Sequence, residues 1–226
     1  MTINVVDKID DLVKINRVLI SVSDKTGLEA FIPALVGLNP EIRMFSTGGT
    51  FQRIKEILGP DAGRLIQVSD YTGQPETQGG LVKTLDFKIY LGLLTETYNP
   101  SHQADLERTK AVPIDMVVVN LYPFQETVAL PNVTVEGARG NIDIGGPCMI
   151  RASAKNFLRV ASVVTPADYG MIIDDMAENG GGLTLKHRFA LAQKAFAHTA
   201  EYDRAIAEYL SGQTPTAFAR CYRNHP

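Results

Sequence analysis

At 226 residues, 45% hydrophobic and 21% charged, the chain has an ordinary globular composition and enough length to bury a sizeable core. A formal net charge of −3 excludes a bulk attraction to nucleic acid or anionic membrane, so an anionic ligand must be held by local positive charge. No apolar run approaches the roughly 18 residues of a membrane span, Met1 to Asn16 lacks a signal-peptide pattern, and two cysteines, Cys148 and Cys221, argue against a disulfide framework and for a reducing cytoplasm.

Val18-Leu19-Ile20 predicts a short buried strand ending at Ser21. A helix is expected from Gly27 to Val36, where Leu28, Phe31, Ile32 and Leu35 fall at helical spacing. Pro33 is tolerable there only near the first turn. Ile42 to Phe45 reads as a second strand, and Phe51, Ile54, Ile57 and Leu58 as a helix after Thr50. Leu65 to Val68 reads as a third strand. This alternation predicts an α/β fold, a parallel sheet with helices on both faces. Asp70 to Gly80 is loop-like, and Ala104 to Arg108 suits a short helix. Asp115 to Leu121 is the strongest strand signal, apolar enough to be central and covered on both sides. Pro147 suits the first turn of a helix running from Met149 to Asn156, and Val160 to Val164 is a further strand. From Lys186 to Leu210, the positions Phe189, Ala192, Phe196, Ile206 and Tyr209 predict one long amphipathic helix. Ser211 to Pro226 reads as a loop or frayed tail. No linker breaks the pattern, so residues 1–226 are expected to form a single domain.

The chemistry is concentrated where the strands end. Ile20 to Gly27 and Phe45 to Thr50 each pass from an apolar run through small hydroxyl residues and glycine into a helix. Such turns direct backbone N–H groups and a helix N-terminus at an anion, and suggest a phosphate or sugar-phosphate ligand. Open parallel sheets bind ligands at the carboxyl ends of their strands. That singles out Ser21, Ser23 and Lys25; Ser46 to Thr50; Asn120 and Tyr122; and Asp143 to Gly146. Each also has a bland reading. A glycine turn can merely end a strand. Lys83 can be a snorkelling surface lysine, Lys155 can complement a helix dipole, Asp143 can cap a helix and Tyr122 can simply pack. Cys148 lacks a paired histidine and reads as a small buried residue, and the four histidines lack metal-ligand spacing. Neither turn is a Walker A or dinucleotide fingerprint.

Taken in order, these segments form a pattern. They are Ser21-Val22-Ser23-Asp24-Lys25-Thr26-Gly27, Ser46-Thr47-Gly48-Gly49-Thr50, Val82-Lys83-Thr84-Leu85, Asn120-Leu121-Tyr122-Pro123-Phe124, Asn141-Ile142-Asp143-Ile144-Gly145-Gly146-Pro147 and Arg151-Ala152-Ser153-Ala154-Lys155-Asn156. With Lys194 to Asp203, the series resembles the IMP cyclohydrolase domain of the bifunctional AICAR transformylase/IMP cyclohydrolase family, over about Asn16 to Leu210. The transformylase domain is not expected within this chain. The resemblance implies a methylglyoxal-synthase-like, usually dimeric fold. It implies a hydrolase of cyclic amidines run in the dehydrating direction, closing FAICAR to IMP in purine biosynthesis without metal or cofactor. A separate formylating enzyme would supply FAICAR. By the family pattern Ser23, Lys25 and Thr26, with Ser46, Gly48, Gly49 and Thr50, hold the ribose 5′-phosphate. Lys83, Thr84, Asn120, Tyr122, Asp143, Ile144, Gly145, Gly146 and Lys155 surround the base and the reacting groups. Of these, Lys83, Tyr122, Asp143 and Lys155 are the candidates for proton transfer and charge stabilisation.

The chain departs from the family's Gly-Arg-Val-Lys-Thr-Leu-His-Pro, with Leu81 for the arginine, Asp86 for the histidine and Phe87 for the proline. A ligand-facing charge is lost and a carboxylate gained near Lys83. That leaves a competing reading, a non-catalytic purine-nucleotide or sugar-phosphate binding module. A methylglyoxal-synthase-like elimination of phosphate is a third, with Asp24 its only evident base.

Overall fold

The computed structural model describes residues 5–75, 77 and 83–223. In chain order it opens with β1 (Leu12–Lys14), β2 (Arg17–Val22), α1 (Leu28–Leu38), β3 (Arg43–Ser46) and α2 (Gly48–Leu58). A 3-10 turn, Gly59–Arg64, leads to β4 (Leu65–Gln67), α3 (Val68–Thr72), α4 (Phe87–Leu94), α5 (Pro100–Thr109) and β5 (Met116–Asn120). Then come α6 (Phe124–Val128), α7 (Val135–Gly140), α8 (Gly145–Lys155), β6 (Ala161–Val163), α9 (Tyr169–Glu178), β7 (Gly182–Thr184), α10 (Leu185–Ser211) and α11 (Pro215–Ala219).

Five strands form one parallel sheet in the order β4-β3-β2-β5-β6. The chain winds outward from β2 through β3 to β4, then returns to β5 on the other side of β2. The strand order therefore reverses between β2 and β5, where open α/β sheets leave a crevice. Strand alternation builds two cores. Val18, Ile20, Met44, Met116 and Val118 face one layer, with α1, α2 and α9 residues such as Phe31, Ile54 and Ile172. Leu19, Phe45, Val117 and Val119 face the other, with Ile89, Ile150 and Ala195 of α4, α8 and α10. Each such side chain stabilises the fold by about 1.5–3 kcal/mol when fully buried. The predicted parallel sheet with helices on both faces is thus the observed fold.

Local departures have local causes. Pro33 is the sixth residue of α1, beyond the first turn, and sits on its exposed face. The helix continues through it, leaving the Glu29 carbonyl without its helical N–H. Val68 turns out of the third strand to begin α3. β1 and β7, which the sequence reading lacked, form a small antiparallel pair outside the main sheet. Along α10 the small residues Ala192 and Ala195 bring the helix against its layer. Phe189 and Phe196 stay 46% and 40% exposed, touching Phe157 and Arg151 at the flank. Among the described residues of the tail, Thr214 caps α11, and the Tyr222 hydroxyl donates to Glu136 on α7. Among the described residues no helix is long and apolar enough to cross a membrane.

Candidate active site

The crevice at the switch point is closed by Asn120, the last residue of β5. Its Oδ1 accepts the N–H groups of Ser23 and Asp24 at 2.7 and 2.9 Å, and its Nδ2 donates to the Asp24 carbonyl at 2.8 Å. A single amide side chain thereby fixes the turn between β2 and α1. Thr50 fixes the same turn from the other side, its hydroxyl accepting from Val22 N at 3.1 Å and donating to Val22 O at 3.0 Å. Ser46, wholly buried, donates to the Ile20 carbonyl at 2.7 Å. The side chains of Ser46, Thr50 and Asn120 are therefore committed to backbone partners and act as scaffold. What these positions can offer a ligand is backbone.

Around that frame the remaining expected residues converge. The space a Cβ at Gly49 would fill lies 4.0 Å from Cε of Lys25, and the corresponding space at Gly48 lies 3.5 Å from Nζ of Lys83. At Gly145 the same construction reaches Oγ1 of Thr84 at 2.7 Å. The turn after β3 and the start of α8 thus meet the segment carrying Lys83 and Thr84, and the turn after β2 meets the turn after β3, on one rim. The starts of α1 and α2 there carry no side-chain cap, unlike α4 and α5, which Asp86 and Asn99 cap, and unlike α8, whose Gly146 N–H is taken by Asp143. Helix ends with free N–H groups and partial positive charge suit anions. Ser21 lies inside β2, opposite Val119, and Ser23, Lys25 and Thr26 lie in the turn that follows. Tyr122 and Ile144 are 56% and 58% exposed at the same edge.

Asp143 is the most constrained group on the rim. Its Oδ1 accepts the Gly146 N–H at 2.9 Å, and its own N–H donates to the Tyr202 hydroxyl at 2.8 Å. A Cβ at residue 146 would collide with Oδ2 of Asp143 and come within 2.6 Å of Leu121, so only glycine permits this approach. Burial raises the Asp143 carboxyl above its ordinary range, outweighing the N–H groups of Gly146 and Gly145 that pull it down. Tyr90 lies beside it. Burial, then the Cys148 thiol and Asp143, hold its phenol well above the usual range, and its oxygen has no hydrogen-bond partner of acceptable geometry. Tyr202 and Tyr90 were missed in the sequence. Tyr202 stood in a quoted motif, yet no local pattern links it to a residue 59 positions away.

Two expectations change here. Lys155 is the last, exposed residue of α8, and Gly145 is the first. At about 1.5 Å per residue the helix sets them about 15 Å apart. Within one chain Lys155 stands at the opposite edge of the sheet from Lys83 and Asp143. Asp86, read as an acidic intruder, is 7% exposed and inward-bound. It accepts from Lys88 N at 2.8 Å as the cap of α4 and from Gln74 Nε2 at 2.7 Å. Phe87 is 60% exposed, and Leu81 lies outside the described residues. Asp24 binds the Thr26 N–H at 2.9 Å. The Thr26 side-chain hydroxyl, and then that N–H, hold its carboxyl below the usual range, which makes it a poor base.

The arrangement defines a parallel α/β domain with a cation-bearing, glycine-lined site at the carboxyl edge of its sheet. The chain belongs to the MGS-like domain family, whose sequence model matches residues 27–148. The model described as AICARFT/IMPCHase bienzyme matches residues 153–225. The gap between the two falls inside α8, and β5 and β6 on either side are paired in one sheet. The chain is 49% identical over 197 residues to the bifunctional purine biosynthesis protein PurH of Neisseria meningitidis serogroup A / serotype 4A (strain DSM 15465 / Z2491). That match covers 87% of this chain and 36% of PurH, so the chain spans about a third of that relative's length. The crystal structure of ForH superposes with a TM-score of 0.70 at 32% identity, covering 85% of this chain and 97% of ForH.

Proposed function

We propose that this chain closes FAICAR to IMP, an IMP cyclohydrolase reaction of purine biosynthesis. The observation that carries the reading is the meeting of Lys83 with the glycine turn at Gly48 and of Thr84 with Gly145, which joins a phosphate-type cradle to Asp143 on one rim. The likeness to PurH supports it. The 5′-phosphate sits at the turns after β2 and β3, facing Lys25 and the starts of α1 and α2. The base extends towards Tyr122, Ile144 and Asp143.

The carboxamide nitrogen attacks the formyl carbon of the same molecule. The carbon–oxygen π bond opens, the carboxamide nitrogen loses a proton, and the formyl oxygen gains one. The resulting hydroxyl then leaves as water: the carbon–oxygen bond breaks, the former formamide nitrogen gives up its proton to the departing hydroxyl, and its electron pair forms the new carbon–nitrogen double bond. Freezing the near-attack rotamer is worth several kcal/mol, about 7–11 in well-oriented cases. Asp143 takes the amide proton, because its raised basicity suits a weakly acidic N–H. Lys83 and the partial positive charge at the start of α8 stabilise the charge growing on the formyl oxygen. A part for Lys155 requires a second copy of the chain to carry it to this edge, so we assign it to a homodimer. A formyl-transferring activity, on another protein or elsewhere in a longer chain, supplies FAICAR.

The inward, capping role of Asp86 removes one reason for preferring a non-catalytic binding module. Purified chain given FAICAR, with purine formation followed by ultraviolet absorbance, decides between the two. A rate well above the spontaneous one is expected. No such rate, together with measurable IMP binding, would make the chain a binding module.

A further inference from the structure

Tyr169 opens α9 at the carboxyl edge of the sheet, just after the 3-10 turn that follows β6. Its ring stacks on Phe31 with centroids 4.1 Å apart and planes 11° from parallel. Its edge lies 3.3 Å from the space a Cβ at Gly27 would fill, under a glycine held at φ +79°. The residue is 7% exposed, and its hydroxyl is buried with no hydrogen-bond partner. Phenylalanine would keep the stack without burying an orphaned donor, so the hydroxyl calls for a reason. The charge that acts on it is the carboxylate of Asp24, across the Ser23–Gly27 turn; burial first, then Asp24, pushes its phenol up to about 12.

Asp24 is occupied in this structure. Its carboxylate accepts the Thr26 N–H at 2.9 Å and engages the Thr26 hydroxyl. Those two donors are the ones a phosphate entering the turn needs, and a phosphate dianion beside Asp24 meets a charge of its own sign. We propose that Tyr169 is a positioning residue for the phosphate: its hydroxyl takes over the Asp24 carboxylate as the anion claims Thr26. The buried donor has no partner in this structure because Asp24 is held by Thr26, and it gains one when Asp24 lets Thr26 go. The exchange rests on the reading of this turn as the phosphate site, and deepens it.

Titration of inorganic phosphate and of IMP into wild type, Tyr169→Phe, Asp24→Asn and the double variant tests the exchange. Tyr169→Phe is expected to bind both ligands about 10-fold more weakly, the loss typical of a hydrogen bond to a charged group. Its melting temperature without ligand stays the same or rises. With FAICAR, KM rises and kcat is unchanged. In the Asp24→Asn background the hydroxyl has no charge to receive, so the added Tyr169→Phe change costs less than about 2-fold. Unaltered binding by Tyr169→Phe, or an equal loss in both backgrounds with a lowered melting temperature, overturns the exchange while the phosphate reading stands. Failure of wild type to bind either ligand overturns that reading and the exchange with it.

Discussion

The two edges of the sheet treat buried polarity in opposite ways. At the amino edge the groups close on one another. Asp115 accepts the N–H groups of Asn16 and Arg17, both at 2.9 Å, and pairs with Arg159 at 3.4 Å. Arg159 also donates to the carbonyls of Thr95, Ile114 and Gly92. Asn39 donates to Ile15 O at 2.8 Å and Asn16 Oδ1 at 3.1 Å. Burial still pushes the Asp115 carboxyl up, despite Arg159 and the two N–H groups. At the carboxyl edge Tyr90 and Tyr169 keep buried hydroxyls with no partner, and Asp168 a buried carboxylate oxygen. Lys83, Tyr122 and Ile144 face outward. Arg64 Nε is the amino edge's own exception. One edge satisfies itself, and the other leaves buried polar atoms without a partner. Fold stability and ligand chemistry should accordingly be separable by mutation.

The largest effect belongs to the closed edge. Arg159→Met leaves Asp115 buried without its cation, and breaking such a pair costs about 3–5 kcal/mol. Urea unfolding should show that loss as a lowered midpoint. An unfolding free energy within about 1 kcal/mol of wild type would mean that the amino edge is not the structural one. Next comes Asp143→Asn, expected to lower kcat about 100-fold or more, within the range for a lost general base, with little change in the urea midpoint. The pH profile sharpens the test. Asp143 acts deprotonated and its carboxyl lies above the ordinary range, so turnover should fall, as pH drops, earlier than a normal carboxylate would make it. That acid limb should vanish in Asp143→Asn.

The lysines split across the comparison, because Lys83 lies on the open edge and Lys155 on the other. Each alanine variant is expected to lose about 10-fold in turnover if both serve the reaction. Mixing the two variants after mild dissociation then separates the edges. If Lys155 reaches the site from a partner copy, each hybrid dimer carries one intact site, and because random mixing makes half of the dimers hybrids, activity returns towards about a quarter of wild type. No recovery on mixing would place Lys155 outside the shared site. A full-rate Lys155→Ala would remove it from the chemistry.

The sheet was legible because its signals are local. Asp115 to Leu121 is apolar without interruption, and β2 and β3 end in small residues before helices whose spacing is unambiguous. The convergence at the carboxyl edge followed from parallel topology alone. What stayed hidden depends on distance or direction. Nothing in the chain announces that Asn120 braces a turn 96 residues earlier, or that Tyr202 holds the Asp143 backbone. Lys155 was placed at the site by motif order, but α8 begins at the site and so carries its own last residue away. Asp86 was misjudged because a carboxylate before a helix can cap as readily as face a ligand; the bond to Lys88 N decides it.

The smallest predicted effect tests whether the amino edge's self-satisfaction reaches the end of α9. Asp175 there is 5% exposed. Burial raises its carboxyl, but the Thr184 N–H, then His187, then the Thr184 hydroxyl outweigh that, and the net shift is downward. The bonds are 3.0 Å from Thr184 N, 2.7 Å to His187 Nδ1 and 3.2 Å to the Thr184 hydroxyl. A carboxyl lowered by folding contributes stability that is fully present above the unfolded value, near 3.9, and is lost as pH falls through the folded value. His187 is 31% exposed, so water screens its part, and the contribution should stay near 0.2–1 kcal/mol. Urea midpoints taken from pH 6 down to pH 2.5 should therefore show wild type losing that increment and Asp175→Asn lacking it, while IMP affinity at pH 7 is equal in the two proteins. Parallel pH curves would mean that these contacts do not stabilise the carboxylate. A matching loss of IMP affinity would mean that the two edges are coupled and that the sheet does not keep them apart.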